Sequence, residues 1–510
     1  MRYLTQFLTL CFVSLACCCV KSSGSDTETA AAEAPTSITV APTSVSTTAA
    51  GGQYEVAITS PARPKLEIPS DAKGWLSYTD GVFKDYKITV TVNVAANTEY
   101  EGRSASVTVS ATGADPVAIT VSQEAREVIK DPNLADNAAV ARALELGLGW
   151  NMGNHFDAYS NGVANETAWQ GKSATQATFT GLKEKGFTSV RIPVTWMGHI
   201  GEAPDYTLDE KWLNRVYEVV GFAESAGLNV IINTHHDEDH GESDGNHWQN
   251  LKGAVDSEDV NTQVKEEIAA FWTQVANKFK DKGDFLMMES FNELIYGDQW
   301  SSSSNTEKKC DVINQWNQVF VDAVRATGGN NATRWLGVPG YAASPNYLKY
   351  LTVPAGKTML AFHCYDPYDY TIGAKQLADW GHTGTLYKSG EEEIKTLFNS
   401  IYTNYIAKDI PIYMGEFGCS MRNKNDAKAW AYYLYYLEYF VKAARTFGIP
   451  AFLWDNGASG YGQEKHGYIG HGTGEYTSNG EEPVKAMVKA WNTTDSDYTL
   501  QSVYDSAPVF

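Results

Sequence analysis

Between Ile38 and Glu124 apolar and polar residues alternate. Ile88, Val90, Val92 and Val94 share one parity and Lys87, Thr89, Thr91 and Asn93 the other. Val107, Val109 and Ala111 repeat the pattern, and so do Val117, Ile119 and Val121. A period of two is that of a strand with one buried face. Turn clusters at Ala50-Gly51-Gly52, Thr79-Asp80-Gly81 and Thr112-Gly113-Ala114-Asp115 separate the runs, and no helical stretch intervenes. The pattern predicts a small antiparallel sandwich of immunoglobulin-like size over residues 38–125.

After a short linker at 126–136, which contains Pro132, the period changes. Val260, Val264, Ile268, Trp272, Val275 and Phe279 form one stripe of a helix between Asp259 and Lys282. Trp212, Leu213, Val216, Val219, Val220 and Ala223 do the same between Asp209 and Gly227. Short apolar runs begin near Leu146, Ser189, Asn229, Asp284, Arg334, Thr358, Ile410 and Pro450. Eight buried strands with intervening helices predict a (β/α)8 barrel over 137–495, leaving 496–510 as a carboxyl-terminal tail. A doubly wound open sheet is the alternative, but no Gly-rich phosphate loop follows the first strand.

Two of these strands run into acids. The apolar run from Asp284 stops at Asn292-Glu293, and Ile410 to Met414 leads into Gly415-Glu416. Parallel strands present their chemistry at their carboxyl ends, and a pair of carboxylates is what glycoside hydrolysis requires.

The amino terminus and the charge frame that chemistry. Arg2 followed by Leu4 to Val20 is shorter than a membrane span and has the shape of a secretory signal (1–20). Its end, Leu15-Ala16-Cys17-Cys18-Cys19, resembles a bacterial lipobox, with Cys18 the best candidate for lipidation and a plain cleaved signal the alternative. Residues 21–37, rich in Ser, Thr, Ala, Glu and Gly, have the composition of a tether. The expected location is the bacterial cell surface, lipid-anchored to the outer membrane. A net charge of -21 excludes nucleic acid and anionic membrane surfaces as partners and suits a neutral substrate. Cys310, Cys364 and Cys419, the cysteines outside the amino-terminal segment, are odd in number and imply no disulfide framework.

Polar and aromatic residues recur at the strand ends in the segments WNMGN (150–154), VRIPVTW (190–196), INTHHD (232–237), FNE (291–293), HCYDPYDYT (363–371), GEFG (415–418) and WDNG (454–457). In this order they resemble glycoside hydrolase family 5, subfamily 4 above all, over Leu146 to Trp491. The segment from Trp75 to Gln123 resembles the BACON domain, whose name implies carbohydrate binding. No exposed aromatic row is apparent there, and a spacer is the favoured role. The family resemblance implies that Glu293 is the acid/base and Glu416 the nucleophile. It implies that Asn292 contacts the sugar 2-hydroxyl and Arg191 keeps Glu416 ionised. His235, His236, His363 and Tyr365 would line the same subsite, with Trp454 as its stacking floor and Asn154 a further contact. Phe291, Cys364 and His155 depart from the family pattern. Cys364 is expected to point toward the helices, and His155 to bear on a distal subsite.

The stretch His235 to His247 is rich in histidines and carboxylates, but its spacing matches neither a zincin nor an EF-hand motif, so no metal and no cofactor are expected. Trp248, Trp300 and Trp380 are each either a sugar platform or plain packing. The expected activity is that of a monomeric, retaining endo-β-1,4-glucanase acting on a plant β-glucan, xyloglucan first. The alternatives are mixed-linkage glucan or cellulose as substrate, or a non-catalytic surface glycan-binding protein on the same barrel.

Overall fold

The computed structural model describes residues 33–97, 102–125, 138–239, 247–302 and 304–510. The expected signal with Cys17 to Cys19, most of the tether and the 126–136 linker lie outside the described residues. The chain divides into two compact units, residues 1–127 and 128–510.

The first unit contains two four-stranded sheets. Thr39–Ala41, Gly52–Thr59, Lys87–Val94 and Leu76–Thr79 make one; Ser44–Thr47, Ala114–Gln123, Arg103–Ala111 and Lys65–Glu67 make the other. The predicted parity holds. Val56, Ile58, Val90, Val92, Val107, Val109, Ile119 and Val121 are all buried in one cluster. The expectation of a wholly antiparallel sandwich needs one correction, because Ser44–Thr47 pairs with Ala114–Gln123 in parallel. The chain crosses from one sheet to the other through Pro42-Thr43 and meets the last strand running the same way. Alternation carries no information on strand direction, so this pair could not be read from it.

The second unit is a closed barrel of eight parallel strands. We number them β1 (Leu148–Met152), β2 (Ser189–Ile192), β3 (Asn229–Ile232), β4 (Leu286–Glu289), β5 (Leu336–Pro339), β6 (Thr358–Cys364), β7 (Ile412–Phe417) and β8 (Ala451–Asp455). Neighbours pair in order and β8 closes on β1. The two helices expected from apolar stripes are Glu210–Ser225, capped by Asp209, and Glu258–Lys278, capped by Ser257. Each cap side chain accepts from a backbone N–H of the first turn. Residues 496–510 hold more than a tail. Leu500–Asp505 is helical, Val503 is buried, and the Tyr504 ring stacks on His382 at 3.8 Å.

Register divides the barrel interior into layers. Ile231, Met287, Met359, Ala361, Tyr413 and Phe452 form an apolar cluster. Two residues further along, toward the carboxyl ends, the same parity brings Asn233, Glu289 and His363, with Arg191 and Asn151 alongside. The barrel is thus plugged at one level and polar at the next. Gly149 is part of the plug: a Cβ there would lie 2.2 Å from the Phe452 ring.

Candidate active site

The strand-end acids reach the site by two different routes. β4 ends at Glu289, so Asn292 and Glu293 stand beyond it, after Ser290 and Phe291. This corrects the expectation that the strand itself runs to Asn292. Phe291 turns into the core and packs on Trp316, with ring centroids 5.9 Å apart. Glu416, conversely, lies inside β7. The ladder with β6 slips there, from Phe362 opposite Met414 to His363 opposite Glu416. The extra residue of this bulge is Gly415, where a Cβ would stand 3.0 Å from His363 Nε2. A bulge re-aims the next side chain, and here the next side chain is Glu416.

Glu293 and Glu416 converge. One oxygen of each, together with a ring nitrogen of His363, lie within 4.8 Å of one another. His363 Nδ1 is 2.6 Å from Glu293 Oε1 and 3.8 Å from Glu416 Oε2. Burial pushes the His363 imidazole down to about 4, against the opposing pull of Glu416, so the ring is neutral above about pH 5. Arg191 NH1 donates to Glu416 Oε1 at 2.8 Å, and the Tyr365 hydroxyl donates to Oε2 at 2.9 Å. Burial, then the Glu416 and Glu293 charges, hold that phenol well above its usual range, so it stays a donor. Arg191 NH2 donates to Asn292 Oδ1 at 2.9 Å, which leaves the amide nitrogen of Asn292 as its donor to a ligand.

His235 is buried, and Asn233 Nδ2 lies 3.3 Å from its Nδ1. Burial, then His236 and Arg191, keep it well below the ordinary imidazole range. Its ring is parallel to Trp454, with centroids 5.9 Å apart. His236 differs. Burial lowers it, but Glu238, Asp157 and Glu416 outweigh that and raise it to about 9, so it is a cation with a third of its side chain exposed (34%). Its ring meets Trp169 at 5.8 Å and Tyr159 at 6.2 Å. Asn154 sits in a left-handed turn (φ 61°), and its N–H donates to Asp157 Oδ2 at 2.9 Å.

Several supports escape a reading of strand ends. Asn151 accepts from Arg191 NH1 at 3.0 Å and donates to Gly415 O at 2.9 Å, tying β1, β2 and β7 together. Asp455 accepts from Trp150 Nε1, from the backbone N–H groups of Gly457, Tyr468 and Ile469, and lies 3.0 Å from His471 Nε2. That network seats Trp454. Gly153 makes room for the indole, since a Cβ there would come within 2.9 Å of it. Glu289, buried beneath the site, was hidden in an apolar run. The signal available for Asn151 and Asp455 was their place inside WNMGN and WDNG.

His155 is corrected: it is buried against His471, centroids 4.9 Å apart, and faces the core instead of a subsite. Trp248 and Trp380 are core, whereas Trp300 is 55% exposed. It lines a cleft of about 650 Å³ with Tyr368 (59% exposed), Glu293, His363 and Tyr365. Cys364 is buried with its sulfur 3.9 Å from Asp366. Asp157, His235 and His236 also bring potential ligand atoms within 4.8 Å. The oxygens of Asp157 accept from the Asn154 and His155 N–H groups, and His235 Nδ1 faces Asn233.

A parallel barrel with two carboxyl groups facing each other at its mouth, one on an arginine and the other on a neutral imidazole, defines a glycoside hydrolase of the two-carboxylate class. The family model described as cellulase (glycosyl hydrolase family 5) matches residues 153–460, and the chain belongs to that family. A second model, BACON, a putative N-terminal binding domain, matches 66–124. Endoglucanase A of Ruminococcus albus is 36% identical over 357 residues, covering 68% of this chain and 92% of that protein. Among solved structures, a GH5-4 broad-specificity endoglucanase from Bacteroides salanitronis aligns with TM-score 0.67 and 45% identity, over 72% of this chain and 99% of that one. A Bacteroides ovatus GH5 xyloglucanase in complex with a XXXG heptasaccharide aligns with TM-score 0.61 and 26% identity, over 90% of this chain and 100% of that one.

Proposed function

We propose that the protein is a retaining endo-β-1,4-glucanase that cleaves a plant β-glucan, xyloglucan first, with Glu293 as acid/base and Glu416 as nucleophile. The observation that carries the mechanism is the approach of Glu293 and Glu416 oxygens to within 4.8 Å. Retaining pairs stand about 5–5.5 Å apart, whereas inverting pairs need roughly 6.5–9.5 Å to admit a water. In the first step Glu416 forms a bond to the anomeric carbon while the glycosidic C–O bond breaks and Glu293 gives its proton to the departing oxygen. In the second step Glu293 takes a proton from water, whose oxygen displaces Glu416. Arg191 and Tyr365 hold Glu416 in place, and Asn292 donates to the sugar 2-hydroxyl. Trp454 and His235 support the ring at the cleavage point.

Exposed aromatic side chains near the site support cleavage within a chain. Trp300 and Tyr368 flank the cleft on the Glu293 side, where the leaving chain must lie. Trp169 (44% exposed) and the charged His236 stand near Tyr159, and none of the three lines that cleft. Support for xyloglucan comes from the Bacteroides ovatus xyloglucanase, whose 90% coverage extends beyond the barrel unit. The greater identity to a broad-specificity endoglucanase favours a second reading, activity shared among mixed-linkage glucan, cellulose and xyloglucan. Product analysis on xyloglucan, barley-type glucan and mannan side by side separates the two. Xyloglucan oligosaccharides released fastest support the first, and equal release from barley glucan supports the second. No new reducing ends on any glucan would mean a non-catalytic glycan binder.

The amino-terminal unit is proposed as a spacer carrying the barrel on a lipid-anchored tether at the cell surface. Its Trp75 is covered by the Arg103 guanidinium, 4.5 Å from the ring centroid, and Tyr54, Tyr78 and Phe83 pack on the core. Among the described residues of this unit, Val82 is the one large hydrophobic side chain strongly exposed. Deleting residues 38–124 is expected to leave kcat/KM on soluble glucan within a few-fold, because the site lies wholly in the barrel. A large loss would assign the unit a substrate-binding role. Fatty-acid labelling that disappears when Cys17, Cys18 and Cys19 all become Ala checks the anchor, and an unlabelled wild type leaves a plain secretory signal.

A further inference from the structure

One buried carboxylate below the site has no place in the two steps above. Glu289 ends β4 with its side chain 1% exposed. Oε1 accepts from Arg191 Nε at 3.0 Å, from Arg191 NH2 at 2.7 Å and from Asn233 Nδ2 at 3.0 Å. Oε2 accepts from the Tyr413 hydroxyl at 2.5 Å. The space is reserved by Gly337, which pairs with Glu289 in the ladder: a Cβ there would stand 2.1 Å from the Tyr413 hydroxyl oxygen and 3.3 Å from the Glu289 Cβ. Every nitrogen of the guanidinium is assigned. Nε and NH2 face Glu289, NH2 also faces Asn292, and NH1 faces Glu416 and Asn151.

One cation therefore serves two buried carboxylates. A guanidinium whose Nε and NH2 both donate to one carboxylate oxygen is held in orientation, which is what aims NH1 at the other carboxylate. The charge that Glu416 feels is that of an arginine already half compensated. A carboxylate under the full field of an unshared guanidinium would be a more stable anion and hence a weaker nucleophile and a better leaving group.

We propose that Glu289 is a positioning residue that acts through Arg191, fixing its plane and offsetting part of its charge so that Glu416 stays nucleophilic. This rests on the assignment of Glu416 as nucleophile. Besides Glu289 and Tyr413, the ionisable groups facing Arg191 or Glu416 are His235 and His236 after β3, Glu293 after β4, and His363 and Tyr365 on or just after β6. None is altered in the variants below.

Glu289→Gln keeps the oxygen that Arg191 and Asn233 bond and removes only the charge, and the Tyr413 hydroxyl can turn to accept from the new amide. Tyr413→Phe does the opposite. It keeps the charge of Glu289 but withdraws a donor from it, which concentrates that charge on Arg191. The measurement is kcat/KM against pH on an aryl cellobioside with a good leaving group, with a melting curve for each variant. For Glu289→Gln the acid limb is expected to move down by about one pH unit. Plateau kcat/KM should fall roughly tenfold, with a smaller fall in kcat where release of Glu416 is limiting. For Tyr413→Phe the acid limb is expected to move up. A role in stability alone would lower activity and melting temperature without moving the two limbs in opposite directions. An active wild type whose acid limb is unmoved in both variants overturns the role of Glu289. A wild type that releases no new reducing ends from any glucan overturns the assignment of Glu416, and this proposal with it.

Discussion

Glu416→Ala is expected to lower turnover of β-glucan by about 10⁴-fold or more, and azide entering from the vacated face of an activated substrate should give the inverted α-azide, because the group that bonds the anomeric carbon is gone. Glu293→Ala behaves differently. An aryl cellobioside with a good leaving group needs no proton in the first step, so that step survives while the second, which needs a base, slows. The glycosyl-enzyme then accumulates and appears as a burst. Azide enters without base assistance and yields a β-glycosyl azide, the retained anomer. With this substrate the alkaline limb of the first step should vanish along with Glu293. His363 cannot supply that limb, since an imidazole held down to about 4 is neutral throughout the range concerned. An α-azide from the Glu293 variant would place the reaction in the inverting class and reject the assignment. The readouts are rapid-mix kinetics and anomer analysis by NMR.

Arg191→Met has the second large effect, on stability as well as rate. Arg191 is fully buried between Glu289 and Glu416 and supplies a donor to each. Its removal leaves two carboxylates in the barrel with Asn233, Tyr413 and Tyr365 as donors and, of the nearby cations, His236, whose charge Glu238 and Asp157 already share. Breaking a buried ion pair by removing one partner costs about 3–5 kcal/mol. The sign with pH follows from the charges left behind. Uncompensated buried carboxyls resist ionisation, so the variant is penalised most at neutral pH, and the penalty shrinks as acid supplies their protons. Melting temperatures of wild type and variant should therefore converge toward about pH 4. A gap that is constant with pH would mean that lost packing, not charge, dominates.

How far all this could be read from the chain depends on which pattern each residue belongs to. Alternation in Lys87–Val94 and in Arg103–Ala111, and the stripes on Glu210–Ser225 and Glu258–Lys278, are local patterns, and the elements stand where they pointed. All eight barrel strands begin within two residues of the apolar runs. Glu289 was not legible because inward parity matters only once the neighbours are known. In a run otherwise apolar it looks like an interruption, and only Arg191 and Tyr413, 98 and 124 residues away, explain it. The bulge at Gly415 likewise depends on pairing with β6, which put Glu416 within a strand instead of after it. Asp455 stood beside a recognisable tryptophan, but its partners at Tyr468 and Ile469 come from a loop with no periodicity. The helix Leu500–Asp505 had a weak signal in Leu500, Val503 and Tyr504, spaced three and four apart.

The pairing of β8 with β1 also fixes the order of events when the chain is made. Trp150 and Asp455, which join across that seam, are 305 residues apart, and Arg191 meets Glu416 across 225. The amino-terminal unit leaves the ribosome whole while the barrel still lacks most of its strands. Until β8 emerges, β1 and β7 are open edges with unpaired backbone, the kind of surface that seeds association between chains. The polar layer at the barrel mouth is incomplete for the same interval, with Arg191 present long before Glu416. A ribosome that stalls after β7 would therefore leave an adhesive, inactive chain, and the last sixty or so residues act as the clasp that turns an open sheet into a closed one.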